Sequence, residues 1–392
     1  MSDAPVQRRH VFFVSGFDPK GASYYHGLYA AQAKQQGTVT GVSYAVGGRS
    51  KCPNGNTRWT VDAGSPLGST RTTYEYVRWD DIVRARWPRS AFGVLAGSAR
   101  AYASAIASGR ALARVWQVAP KTLFSLAYPA LFWLAVSLVA VLAGLAVAAV
   151  VRSGFAGAGP SWKFLFAGLT MVGVFAAALQ WERRLHTSWL LRIYQFAADW
   201  AAGRIEALPT RLDGLAGDIE RRLAEPEIDE VLLVGFSVGS MLAVSAAARL
   251  ARSAVPERLG KLSLLTLGHC IPLLGLMPRA TAFRAELARL GELPALAWAD
   301  FSSPTDWGSF ALVDPVALCL GSDDAPRRGP VLASPRFHTL FQPATYAQIR
   351  GDKRRMHLQY LMAGELAGTY DYFALTAGPL RLAGRLNPKP AP

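Results

Sequence analysis

The chain of 392 residues has room for one large domain with an added element. It is 51% hydrophobic and only 18% charged, more apolar than an ordinary soluble domain. Its formal net charge of +15 and pI near 10.0 raise nucleic acid or anionic lipid as partners. The arginines are scattered, however, and no nucleic-acid motif occurs, so nucleic acid is not expected and a membrane surface is favoured. Three cysteines, Cys52, Cys270 and Cys319, lack CxxC spacing and suggest neither a disulfide framework nor a zinc site. Phosphate-loop and dinucleotide signatures are missing as well, so no cofactor and no metal is expected.

In chain order, the polar N-terminus does not read as a signal peptide. A short apolar strand, HVFFVS from His10, ends at Gly16, and a helix is predicted from Ala22 to Gln36. Strands are predicted from Thr38 (TVTGVSYAV) and from Thr72 (TTYEYVRW), with loop between them, and the stretch from Ser90 to Ala119 reads as helix.

Between Lys121 and Arg152 lies an uncharged run of about 30 residues, above the ~20 needed to span hydrocarbon. After a Gly-rich connection, a second run from Phe164 to Trp181 meets the minimum of ~17. The expectation is a transmembrane hairpin over 121–182, dividing a domain into parts 1–120 and 183–392. Arg110, Arg114 and Lys121 precede it and Arg183, Arg184 and Arg192 follow it, while only Arg152 and Lys163 lie in the connection. That bias predicts both flanks on the cytoplasmic side. Next, Trp189, Leu190, Ile193, Phe196, Ala197 and Trp200 recur at helical spacing, an amphipathic helix suited either to a core or to the headgroup region.

Beyond the hairpin, apolar strands and helices alternate. A helix is predicted over Arg211 to Ala224, a strand over Glu230 to Gly235 and a helix over Val238 to Ala251. Strand, helix and strand follow over Leu262 to Gly268, Ala280 to Leu290 and Ala295 to Phe301. This pattern predicts an α/β fold, a mostly parallel sheet with helices on both faces. No internal repeat is evident, and the tail NPKPAP is expected to be disordered.

One motif carries chemistry. Gly235, Phe236, Ser237, Val238 and Gly239 form GxSxG between an apolar strand and an Ala-rich helix. A serine on such a tight turn has strained dihedrals, and its neighbours must be small for the turn to close. On VGFSVG and the order of elements around it, over residues 10–45 and 225–360, the chain resembles the α/β-hydrolase superfamily of serine esterases and lipases.

The resemblance implies Ser237 as nucleophile, then an acid, then a histidine, with the oxyanion held by Val238 and by Gly16 or Phe17. Asp306, in the loop after LAWADF, is the first choice of acid, with Asp300 and Asp314 as alternates. His357 is preferred as base and His338 is its alternate. His269 and His26 are candidate pocket residues, and His10 and His186 have no such case. Two departures stand out: an HGGG oxyanion loop is missing, and the insertion precedes the nucleophile strand, which suits an anchor better than a lid. The predicted activity is cleavage of an amphiphilic carboxylic ester or thioester beside membrane lipids. Alternatives are a catalytically silent scaffold of the same fold and an acyltransferase using the same triad.

Overall fold

The computed structural model describes residues 5–87, 91–107, 109–154, 160–293, 296–321 and 330–386. The elements run β1 (Arg8–Val14), α1 (Ala22–Thr40), β2 (Ser43–Val46), β3 (Ser50–Lys51), β4 (Thr57–Ser65), β5 (Gly68–Tyr76), α2 (Asp80–Ala85), α3 (Ala91–Ile106) and α4 (Gly109–Val118). Then come α5 (Pro120–Gly154), α6 (Pro160–Leu185), α7 (Thr187–Ala201), α8 (Ala207–Leu223), β6 (Glu230–Phe236), α9 (Gly239–Ser253), α10 (Pro256–Leu259), β7 (Leu262–Leu267), α11 (Ile271–Gly275), α12 (Thr281–Gly291) and β8 (Ala297–Phe301). The last are α13 (Pro315–Leu320), β9 (Val331–Ala333), α14 (Pro343–Ile349), α15 (Lys353–Leu358), α16 (Tyr372–Ala377) and α17 (Leu382–Leu386).

These elements fold into two compact units, one of residues 1–87, 103–122 and 196–392 and one of residues 88–102 and 123–195. The first holds a nine-stranded sheet in the order β2-β4-β5-β1-β6-β7-β8-β9, with β3 on β4. From β5 to β9 the strands are parallel, and β4 pairs antiparallel with β5, β2 and β3.

Strand alternation sends Val11, Phe13, Tyr74, Tyr76, Leu232, Val234, Phe236, Leu265 and Leu267 into one core with Tyr25, Tyr29, Tyr360 and Phe373. The opposite face of β6 is covered by α8 and α9. Both faces are therefore buried, and β6 and β7 read as continuous apolar runs.

Two local readings of the sequence are corrected. Thr38 and Thr40 end α1 rather than open a strand, because Gly41, at φ 73°, caps the helix by donating its N–H to the Gly37 carbonyl at 2.9 Å. The segment expected to be loop carries β4, whose Trp59, Val61 and Ala63 are buried between the exposed Arg58, Thr60 and Asp62.

The second unit is helical. Residues 120–153 of α5 and 162–182 of α6, with mean hydropathies of 2.8 and 1.7, are long and apolar enough to cross a membrane. They pack antiparallel: Trp133 stacks with Phe175 at 6.5 Å, and a Cβ added to Gly144 would stand 3.1 Å from Met171 Cγ. Ala140, one turn before Gly144, is fully buried. Small residues thus let the two backbones approach. Leu131, Leu134, Leu138, Leu142, Leu145, Leu169 and Val172 are exposed. The unit also takes in residues 88–102 and 183–195, outside the expected 121–182 hairpin: Tyr102 and Tyr194 donate to the carbonyls of Leu126 and Ser125. The connection around residues 155–159 and the tail from 387 lie outside the described residues.

Candidate active site

The winding of the sheet marks where a ligand would sit. From β1 the chain moves to β5 on one side, then returns to place β6 on the other, and continues outward through β7, β8 and β9. The carboxyl ends of β1 and β6 therefore flank a topological switch point, where diverging connections leave a crevice. Ser15, Gly16 and Phe17 follow β1 there, and Ser237 and Val238 follow β6.

Ser237 has φ 56°, one of only four non-glycine residues described with positive φ. A β-substituted residue in that region is strained. The surroundings hold it there: Ser237 N donates to the Leu267 carbonyl at 2.9 Å, and Ser240 N closes the turn onto the Ser237 carbonyl at 3.0 Å. A Cβ at Gly239 would strike the carbonyl of Val14, and one at Gly235 would come within 2.6 Å of Ser240 Cα. Both glycines thus leave space that a larger residue would fill. Val238, φ −58°, heads the 15-residue α9, and the first amides of a helix lack intrahelical partners.

Gly16 stands against the serine. A Cβ there would lie 3.1 Å from Ser237 Cβ and 3.5 Å from its Oγ. Phe17 is fully buried among Trp79, Trp87 and Phe196. Phe196 lies on the apolar face of α7, and Trp200 of the same helix packs on Phe283. Phe196 thus faces a protein core rather than headgroups. The apolar Ile271, Leu273 and Leu274 of α11 are likewise buried, packed with α9, α12 and α13.

Asp306 and His357 meet. His357 Nδ1 lies 2.9 Å from Asp306 Oδ2 and 3.0 Å from Oδ1, and both residues are buried. Asp306 Oδ1 also accepts the Gly308 N–H at 2.9 Å, and the His357 ring packs on Phe236, with centroids 5.0 Å apart. The His357 ring therefore rests on the residue beside Ser237. A second link runs through Cys270: its Sγ is 3.8 Å from Ser237 Oγ and donates to the Gly308 carbonyl at 3.3 Å. Burial pushes the Cys270 thiol up to about 12, so it stays protonated.

The alternates fall elsewhere. Asp314 caps α13, accepting the amides of Val316 at 2.7 Å and Ala317 at 3.0 Å. Asp300 is fully buried, accepts from Thr266 and Ser302, both at 2.7 Å, and faces His269 Nε2 at 3.7 Å. Burial holds its carboxyl above the usual carboxylate range. His338 is exposed beside Tyr346. His26 Nε2 bonds the Gly47 carbonyl at 2.9 Å. His269 is wholly buried beside Asp300, while His10 pairs with Glu75 at 3.1 Å.

Sequence reasoning missed Cys270, whose place is set only when the β6 and β7 ends come together; no motif marks it. Among the described residues no cluster of three His, Cys, Asp or Glu side chains is placed to hold a metal. No family model, no curated protein and no solved structure matches this chain. A strained buried serine, a helix N-terminus and a carboxylate-bound imidazole have together what acyl transfer needs.

Proposed function

We propose that the chain is a membrane-anchored serine hydrolase of α/β-hydrolase type, acting on a carboxylic ester or thioester through Ser237, His357 and Asp306. The observation that carries this reading is the Asp306–His357 pair at 2.9 Å, with its ring set on the residue preceding a serine at φ 56°. Support for the fold comes from the order of parts: serine after β6, carboxylate after β8 and histidine after β9.

In this reading His357 donates its Nδ1 proton to Asp306, leaving Nε2 as acceptor for the Ser237 hydroxyl proton. Oγ attacks the carbonyl carbon, and the oxyanion is held by the Val238 amide and one from Gly16–Phe17. Collapse expels the alcohol or thiol with the proton carried by His357. Water then takes the same route to release the acid.

The two long apolar helices support an anchor, and the excess of basic residues on their flanks supports a cytoplasmic side for both flanks. Reporter fusions at the C-terminus test the side; a readout from beyond the membrane removes that assignment. A tethered domain meets lipid-like esters at raised effective concentration, which favours an amphiphilic substrate. Labelling membranes with a fluorophosphonate probe tests the chemistry: the intact chain should label and Ser237→Ala should not. Equal labelling of both, or of neither, overturns it.

A further inference from the structure

The loop carrying Asp306 and the helix carrying His357 touch twice. Asp306 and His357 form the inner rung, fully shielded. Trp307, the next residue along the loop, forms the outer rung with Lys353, one helical turn before His357 on α15. Lys353 Nζ lies 4.3 Å from the centre of the Trp307 ring. Residues four apart share a helix face, so the two rungs stack from core to surface.

The outer rung has an unusual composition for a protein surface. Trp307 is 46% exposed and Leu312, on the same loop, 41%. Leu312 also keeps φ 56° while its amide is held by Ser302 Oγ at 2.8 Å. Lys353 lies in a basic segment with the exposed Arg350 and Arg354 and the half-buried Arg355, whose guanidinium meets Met362 Sδ; the one carboxylate within 350–355, Asp352, is engaged in capping α15. An exposed indole under a lysine, with an exposed leucine on its loop and a basic segment on the facing helix, has the chemistry of a lipid–water boundary: the indole suits the headgroup level and the basic side chains attract anionic lipid.

We infer that the Trp307–Leu312 loop and the basic N-terminal turn of α15 form a docking surface for the anionic face of a bilayer, set directly over the Asp306–His357 pair. The occupant is a lipid surface rather than a soluble anion, because exposed Trp307 and Leu312 gain nothing from a free phosphate. The inference deepens the reading of this site as one that meets amphiphiles, and it rests on the anchor holding the chain at a membrane.

The test does not use turnover. The full chain, with Cys52→Ser and Leu312→Cys, is labelled at residue 312 with an environment-sensitive nitrobenzoxadiazole fluorophore; Cys270 and Cys319 are buried. It is then placed in nanodiscs of phosphatidylcholine with or without phosphatidylglycerol. The expected result is a blue shift and an intensity gain in the anionic discs. Both should weaken in high salt and be lost in the Lys353→Glu/Arg354→Glu variant, while inorganic phosphate added to neutral discs should give no shift. Emission that ignores lipid charge overturns the inference, as does a shift that survives charge reversal. The lipid and salt arms use unreversed protein, so poor folding of the variant does not blunt them. Loss of fluorophosphonate labelling with the shift intact removes the hydrolase reading alone. A chain that does not enter the discs overturns the anchor and this inference together.

Discussion

Asp306 and His357 are 51 residues apart in the chain, yet Oδ2 and Nδ1 lie 2.9 Å apart inside the protein. A carboxylate there fixes the ring's tautomer and orientation. We expect His357→Ala to lower turnover of an ester substrate by several powers of ten and Asp306→Asn by about four. His338→Ala should leave most of the activity, since that ring is exposed beside Tyr346. Asp314→Asn should also leave turnover in place, at a cost of about 1 kcal/mol or less from a weaker helix cap. Steady-state kinetics on the four variants decides it; a silent His338→Ala with normal His357→Ala moves the base.

The turn around Ser237 makes a sharper demand. A methyl at Gly16 stands 3.1 Å from Ser237 Cβ, close enough to push Ser237 by a few tenths of an ångström. Gly16→Ala should therefore reduce kcat about tenfold to a hundredfold while shifting Tm little, because small displacements at reacting atoms are costly. Gly239→Ala, aimed at the Val14 carbonyl, should fail to fold. Thermal unfolding beside fluorophosphonate labelling rates separates the two behaviours, and full activity in Gly16→Ala would count against a site at this crevice.

Much of this arrangement was legible in the sequence. The strand-serine-helix run at 230–253 could be read locally, because apolar periodicity and two glycines specify it without distant partners. Asp306 and His357 could be named only by position relative to strands; proximity is a tertiary fact. β4 was illegible as long as turn residues Asn54, Gly55 and Asn56 dominated the window, although Trp59, Val61 and Ala63 alternate as a half-buried strand should. β9, three residues long, has too little pattern to be read at all. Asp314, placed like an acid, is followed by Pro315, the signature of a helix start.

At the far end of the sheet, Arg9 and Glu230 form a buried ion pair at 2.8 Å on adjacent strands. Arg9 also donates to the carbonyls of Gly378 and Leu380, and Glu230 accepts from Ser263 and from the Leu382 amide. The pair thus ties the C-terminal segment to β1 and β6. Removing one partner strands a buried charge, so Glu230→Ala should cost about 3–5 kcal/mol in denaturant unfolding. The double variant Arg9→Met/Glu230→Leu should cost less than the single one, since no charge is left alone. Equal losses would mean that the backbone contacts, not the charge, hold the segment.

His10 and Glu75 give stability a pH dependence of known sign. Burial lowers the His10 pKa below 6.5, outweighing the hydrogen bond His10 donates to Glu75, which raises it; Arg222 and Glu225 act on it in opposite directions. Burial would raise Glu75, but the hydrogen bonds from His10 and Asn56 bring it down from 4.5 to about 2. Both folded values are depressed, so both contributions are full above the unfolded pKa and are lost as the pH falls. His10 should weaken the fold from pH 6.5 downward, as the unfolded chain takes up a proton that the folded one resists. Glu75 should add a second loss between 4.5 and about 2. Buried Asp300 and Glu286, both raised, act oppositely above their unfolded values, so the total slope is blurred. The difference between the intact chain and His10→Gln isolates the pair. Tm measured from pH 7.5 to pH 5 (roughly the imidazole range) should fall less steeply in His10→Gln, and parallel slopes would show that His10 is not titrating against the fold.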